Sequence, residues 1–196
     1  MAGPARVAKP AAGRPFPAAL AVAAIALAGC SAHRVANDEQ RVGRPAAVDR
    51  VVTRSYEHEI KTDRGVQRQT VEYAWDYSDA VVKERTLGPD GIVAGERDVP
   101  GQILRATEQE LEWAFDLARS HPDLRKSVTS EGVRLYGGFI LMKADDAHCH
   151  LRSRCVYVFA SQGADGSRKV AEAIVDLQSN RVVYPNYRPD TTDPIQ

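Results

Sequence analysis

Between Gln67 and Tyr77 the chemistry of the side chains alternates at nearly every step. Val71, Tyr73, Trp75 and Tyr77 fall on one side, and Arg68, Thr70, Glu72 and Asp76 on the other. A period of two belongs to an extended strand with one covered face, because successive side chains leave a strand in opposite directions. The chain must therefore build a sheet around this segment. Upstream, Val52, Tyr56, His58 and Ile60 carry a weaker form of the pattern, and Asp63-Arg64-Gly65 supplies the turn between the two runs. Further strands over 80–87 and 92–99 flank Gly88-Pro89-Asp90-Gly91, where Pro presets one φ and Gly accepts a positive one. The sum is an antiparallel meander over residues 50–99. Its aromatic stripe reads as core, with a binding surface as the alternative, and His58 reads as semi-buried on the apolar side of its strand.

Pro100-Gly101 ends that pattern and the period changes. Thr107-Glu108-Gln109-Glu110 forms a capping box, in which the Thr hydroxyl takes the otherwise orphaned N–H of Glu110. Leu111, Ala114, Phe115 and Ala118 follow at helical spacing, with Trp113 and Leu117 widening the apolar face. A helix over 107–120 should lie on the sheet and stop near His121-Pro122, with a turn or second short helix over 123–128. His121 there favours the C-terminal end of the helix dipole. A second meander over 132–184 follows. Gly137-Gly138 marks a bulge in its first strand. The next strand alternates Cys155, Tyr157 and Phe159 against Val156, Val158 and Ala160, and Gln178-Ser179-Asn180 turns into a short last strand over 181–184. Pro185, Pro189 and Pro194 mark an extended tail over 188–196.

The amino end has a different character. Arg6, Lys9 and Arg14 precede an apolar run from Ala18 to Ala28, and small residues stand just before Cys30. At about 1.5 Å per helical residue that run is too short to cross a hydrocarbon core of about 30 Å. It has the three parts of a secretory signal. Leu27-Ala28-Gly29-Cys30 resembles the lipobox of bacterial lipoproteins. The resemblance implies cleavage before Cys30, a diacylglycerol on its sulfur and usually a third acyl chain on its amine, and more than one chain is enough for stable anchoring. Ser31, where an Asp would favour retention at the inner membrane, implies the periplasmic face of the outer membrane. Residues 30–48 are polar and irregular, with His33 among them, and read as a tether to a domain over 49–187. The leader holds three of the 26 basic residues and none of the 26 acidic ones, so the mature chain is net acidic. That argues against nucleic acid as a partner, because nucleic-acid binding shows as a concentrated basic face. The partners expected are the membrane, through lipid on Cys30, and an envelope protein.

Beyond Cys30 the chain has two cysteines, Cys149 and Cys155, and an even remainder in an oxidising compartment is the arithmetic of a disulfide. They bracket a turn between two expected antiparallel strands, where Cα atoms come within bridging distance. A competing reading draws on Asp145, Asp146, His148 and His150, since imidazole and thiolate together suit zinc or copper, and in an extended loop His148 and His150 project to the same side. Two free thiols are the third possibility. Disulfide and metal compete for the same sulfurs. Cysteine catalysis would need a free low-pKa thiol beside a base, and no Gly-x-Ser-x-Gly elbow, phosphate loop or dinucleotide fingerprint occurs.

The capped helix, followed by strands carrying Arg154-Cys155-Val156 and Val175-Asp176-Leu177 and leading to Val182, resembles the N-terminal cystatin-like modules of copper amine oxidases. The likeness covers about 107–184. It implies one helix packed across an antiparallel sheet and no chemistry of its own, because the copper- and quinone-bearing domain of those enzymes has no counterpart here. The expectation is thus an α+β, cystatin-like domain on a lipid-anchored envelope protein, acting without a cofactor as a binding or structural module and not as an enzyme. The alternative is a periplasmic metal-binding protein that uses the His148–Cys155 loop.

Overall fold

The computed structural model describes residues 42–163 and 166–188. Cys30, Ser31, His33, most of the expected tether and the tail beyond Arg188 lie outside the described residues. Strands β1 (Arg50–Thr62), β2 (Gly65–Asp76), β3 (Val81–Leu87) and β4 (Val93–Asp98) form one antiparallel sheet in chain order. Helices α1 (Glu108–Ser120) and α2 (Pro122–Val128) follow. A second antiparallel sheet, also in chain order, holds β5 (Val133–Leu141), β6 (Cys155–Gln162), β7 (Arg168–Asp176) and β8 (Arg181–Tyr184). The class is α+β, with two four-stranded meanders.

The two meanders share one core. Val51, Trp75, Tyr77 and Val82 of the first sheet join Trp113, Phe115, Leu124, Val156, Val158 and Val175 in a single buried cluster. Only the near end of the first sheet takes part. Beyond it β1 and β2 run on as a ribbon, and every residue of β4 is exposed. Ion pairs line one face of this sheet, Arg50 reaching Asp76 and Glu96, and Lys83 reaching Asp79 and Asp98. On the other face Tyr56 stacks on Tyr73 at 6.4 Å.

Strand β1 departs from its sequence pattern in two ways. A bulge at Thr53 breaks the pairing with β2, so the alternation changes face: Val51 is 6 % exposed and Val52 is 44 % exposed. Val52 therefore does not share a side with Tyr56, His58 and Ile60. Nor is His58 semi-buried: it stands exposed opposite Gln69, on the stretch of ribbon that the helices do not cover. A period-two pattern reports which side a residue faces, not whether anything lies over that side.

The capping box forms: the Glu110 N–H donates to Thr107 Oγ1 at 3.2 Å, and Thr107 N–H to Glu110 Oε2 at 2.9 Å. Helix α1 ends at His121, whose N–H returns to the carbonyls of Leu117 and Ala118. His121 then caps α2, its Nδ1 accepting from the Asp123 N–H. The Gly137-Gly138 step is a bulge, as the sequence predicts. A Cβ on Gly137 would lie 2.5 Å from the Tyr157 carbonyl oxygen, so glycine lets β5 close on β6.

The folded domain starts earlier than residue 49. Gly43 has φ +87°, and a Cβ there would meet Asn180 Oδ1 at 2.4 Å and Leu117 Cγ at 2.8 Å. Next to it the Arg44 N–H donates to Asn180 Oδ1 at 2.7 Å, its Nε to the Leu177 carbonyl and its Nη1 to that of Val48. The Arg44 guanidinium also lies 4.3 Å from the centre of the Tyr77 ring. Residues 42–48, read as the end of a tether, are an amino-terminal latch.

Candidate functional site

The loop between β5 and β6 carries the residues that the sequence singles out. Cys149 and Cys155 are joined in a disulfide with Cα atoms 5.5 Å apart, and their exposures are 4 % and 0 %. Asp146 organises the turn. Its Oδ1 accepts the N–H groups of His148 and Cys149 at 2.8 and 2.7 Å and the Tyr184 hydroxyl at 2.9 Å. Burial pushes the Asp146 carboxyl up, but these donors outweigh it and hold the group below its ordinary value. The His148 ring meets Tyr184 edge-on at 5.4 Å, and His150 accepts the Arg152 N–H on Nδ1.

This arrangement withdraws the two thiolates from any metal site in the loop. Both sulfurs are spent in the bridge, and each imidazole is turned to a neighbour of its own. Among the described residues, no three His, Cys, Asp or Glu side chains are gathered so as to hold a metal ion. The bridge braces the loop, and the Arg152 guanidinium extends it to the Asp79 carbonyl in the β2–β3 turn at 3.3 Å.

Sequence reasoning missed the buried charges behind this loop. Glu110 and Arg154 are 0 % and 1 % exposed. Arg154 Nε and Nη2 each donate to the Glu110 carboxylate at 2.9 Å, Nη2 donates also to the Arg105 carbonyl at 3.1 Å, and Nη1 to that of Leu104 at 2.8 Å. The Tyr77 hydroxyl completes the set with a 2.7 Å bond to Glu110 Oε1. Burial alone would push the Glu110 carboxyl up. The Arg154 hydrogen bonds and charge, with Thr107 and Tyr77, overcome it and hold the group below the usual range. Burial and then the Glu110 charge push the Tyr77 phenol far up. Perturbed groups of this kind mark active sites when a cleft reaches them. Here each nitrogen of Arg154 is engaged and both side chains are buried, so the cluster ties together Tyr77 at the end of β2, α1 and the start of β6. A sequence signal existed: Glu110 is the last member of the capping box, and Arg154 is a charge just ahead of an apolar strand.

The remaining feature is the outer face of the second sheet. Val158, Ala160, Ala173 and Val175 turn inward to the core, so Tyr157, Phe159 and Glu172 turn outward. Tyr136 pairs with Phe159 across β5 and β6, and their rings stack at 5.3 Å. Tyr157 and Phe159 stack at 5.7 Å, and Tyr187 meets Tyr157 edge-on at 5.9 Å. Beside them an open hollow of about 330 Å³ is lined in part by Lys169, Glu172, Tyr187 and Arg188. The alternation of Tyr157 and Phe159 is legible in the sequence; the placement of Tyr136 and Tyr187 against them needs the fold. Compared with known proteins, the chain matches no family model, and no curated protein is significantly similar to it in sequence.

Proposed function

We propose that this protein is an envelope lipoprotein, held by lipid on Cys30 at the periplasmic face of the outer membrane, whose folded domain binds a partner and does not turn over a substrate. The observation that carries this reading is the Cys149–Cys155 bridge. Disulfides persist in oxidising compartments, and the lipobox-like Leu27-Ala28-Gly29-Cys30 would deliver the chain to one. The binding role draws support from the bridged sulfurs of the loop and from the buried Glu110–Arg154 pair, whose charges satisfy each other. Helix α1 across β5–β8 spans the same residues as the likeness to the cystatin-like modules of copper amine oxidases, and we read this half of the domain as such a module.

Intact mass spectrometry of the chain isolated from envelopes tests the reading. The expected product begins at Cys30 and is heavier than its sequence by a diacylglyceryl group and an acyl chain. Cys30→Ala is expected to release the chain from the membrane fraction. A chain recovered from the cytoplasm with residues 1–29 intact and Cys30 unmodified would overturn it.

A further inference from the structure

The pairing of β1 with β2 places Tyr56 opposite Val71 and Arg54 opposite Tyr73. Tyr56 and Tyr73 are therefore diagonal neighbours on one face of the first sheet, a separation that aromatic side chains span. Their rings lie 6.4 Å apart and within 18° of parallel. Tyr56 is 38 % exposed and Tyr73 is half-buried. The Arg54 guanidinium packs on the Tyr56 ring, 5.0 Å from its centre. Among the described residues the other contact between two tyrosines, Tyr157 with Tyr187, is edge-on at 67°.

The Tyr73 hydroxyl has a fixed acceptor. It donates to Glu84 Oε2 at 2.7 Å, directly across β2 and β3. Arg97 Nε and Nη2 grip the same carboxylate at 2.9 and 2.8 Å. That fork, and then the Tyr73 hydroxyl, hold the Glu84 carboxyl below its ordinary value. The bond to Glu84, with lesser pushes from burial and from the Tyr56 hydroxyl, raises the Tyr73 phenol to about 12. A neutral phenol gives up an electron far more readily when its proton can leave in the same step. An ionised carboxylate at hydrogen-bond distance is the partner that such a step needs.

We propose that Tyr56 and Tyr73 form a site of oxidative cross-linking, joined through their ortho carbons as a dityrosine when hydrogen peroxide and a haem peroxidase act on the chain. Each phenol loses one electron and one proton, the proton of Tyr73 passing to Glu84 and that of Tyr56 to water. The two phenoxyl radicals form one carbon–carbon bond, and each ortho C–H is then replaced as the rings regain their hydroxyls. The chain loses two hydrogen atoms in all, and one peroxide takes up two electrons and two protons to become two waters. The near-parallel rings let ortho edges meet once Tyr56 turns, and exposed side chains change rotamer on the ps–ns scale. The product staples β1 to β2 just past the bulge at Thr53, on the stretch of ribbon that the helices do not cover.

The site depends neither on the anchor nor on the binding role proposed above, so each idea can fail alone. The test treats the dilute full chain with a haem peroxidase and hydrogen peroxide, following dityrosine fluorescence and the mass of the monomer. A monomer lighter by two hydrogen atoms is expected. After reduction and trypsin, peptides 55–61 and 69–83 should be joined, with fragmentation placing the link between Tyr56 and Tyr73. Tyr56→Phe should abolish the link, and Tyr136→Phe should leave it intact. Glu84→Gln should slow it severalfold, with circular dichroism showing the fold retained. Any of four results would overturn the proposal: no loss of hydrogen from the monomer, a link confined to dimers or mapped to Tyr157 and Tyr187, an undiminished link in Tyr56→Phe, or an unchanged rate in a folded Glu84→Gln chain.

Discussion

Glu110 and Arg154 leave water as a pair, and the two charges stand or fall together. Desolvating either one alone is far more costly than desolvating both in contact. Glu110→Gln leaves the Arg154 guanidinium buried without its counter-ion. We expect that to lower unfolding stability by about 3–5 kcal/mol, read from urea denaturation. Replacing both residues with apolar ones of similar volume should cost less than either single change. The pH dependence has a definite sign. The folded-state value of Glu110 is depressed, so between it and the unfolded value the unfolded chain binds more protons. Its contribution is complete above the ordinary glutamate value of about 4.3 and is lost as pH falls through the folded value. In Glu110→Gln the acid limb of the stability profile should be flatter over that window. An unchanged limb would mean that other carboxylates carry it.

At the scale of single elements, the β5–β6 loop owes its shape to both the bridge and Asp146. The bridge closes a loop with a sequence separation of 6. In the chain-entropy view so short a closure contributes about 2–2.5 kcal/mol. Replacing both cysteines with serine should lower stability by about that amount, with the extra loss of packing around Ile174 adding to it. A thiol assay on the denatured, unreduced chain should find neither Cys149 nor Cys155 free; two titratable thiols would remove the brace from the account. Most elements are legible in the sequence. The capping box at Thr107 marks the start of α1 because two specific hydrogen bonds need those two residue types at that spacing. The Gly137-Gly138 bulge was legible for a similar reason, since the close approach to Tyr157 tolerates no Cβ. The bulge at Thr53 was not, because no glycine marks it and the apolar pattern on either side remains plausible with or without the slip. The cysteine pair of the candidate site followed from counting. The Glu110–Arg154 contact did not, because two charges 44 positions apart in sequence carry no mutual signal.

For the molecule as a whole, the deciding feature is that one core serves both meanders. Gln178 shows how directly the sheets are joined: its side-chain oxygen accepts from Trp75 Nε1 at 3.2 Å, and its amide donates to the Tyr77 carbonyl at 2.8 Å. The amino-terminal latch draws on the same region, since Arg44 lies over Tyr77 and holds Leu177 and Asn180. Gly43→Ala should therefore disturb more than a terminus. It asks an L-residue to hold a positive φ while its Cβ drives into Asn180 and Leu117. We expect a loss on the order of 2 kcal/mol, the scale of overpacking a filled site, measured as a drop in the urea midpoint. A neutral outcome would mean that 42–48 is dispensable. The latch also decides how the domain would carry mechanical load. Tension applied from the amino-terminal side reaches Arg44 before it reaches β1, and Arg44 grips the β7–β8 turn through Leu177 and Asn180. A tug would thus be shared with the middle of the domain from the outset, and the edge strand could not be unzipped until that grip had been broken.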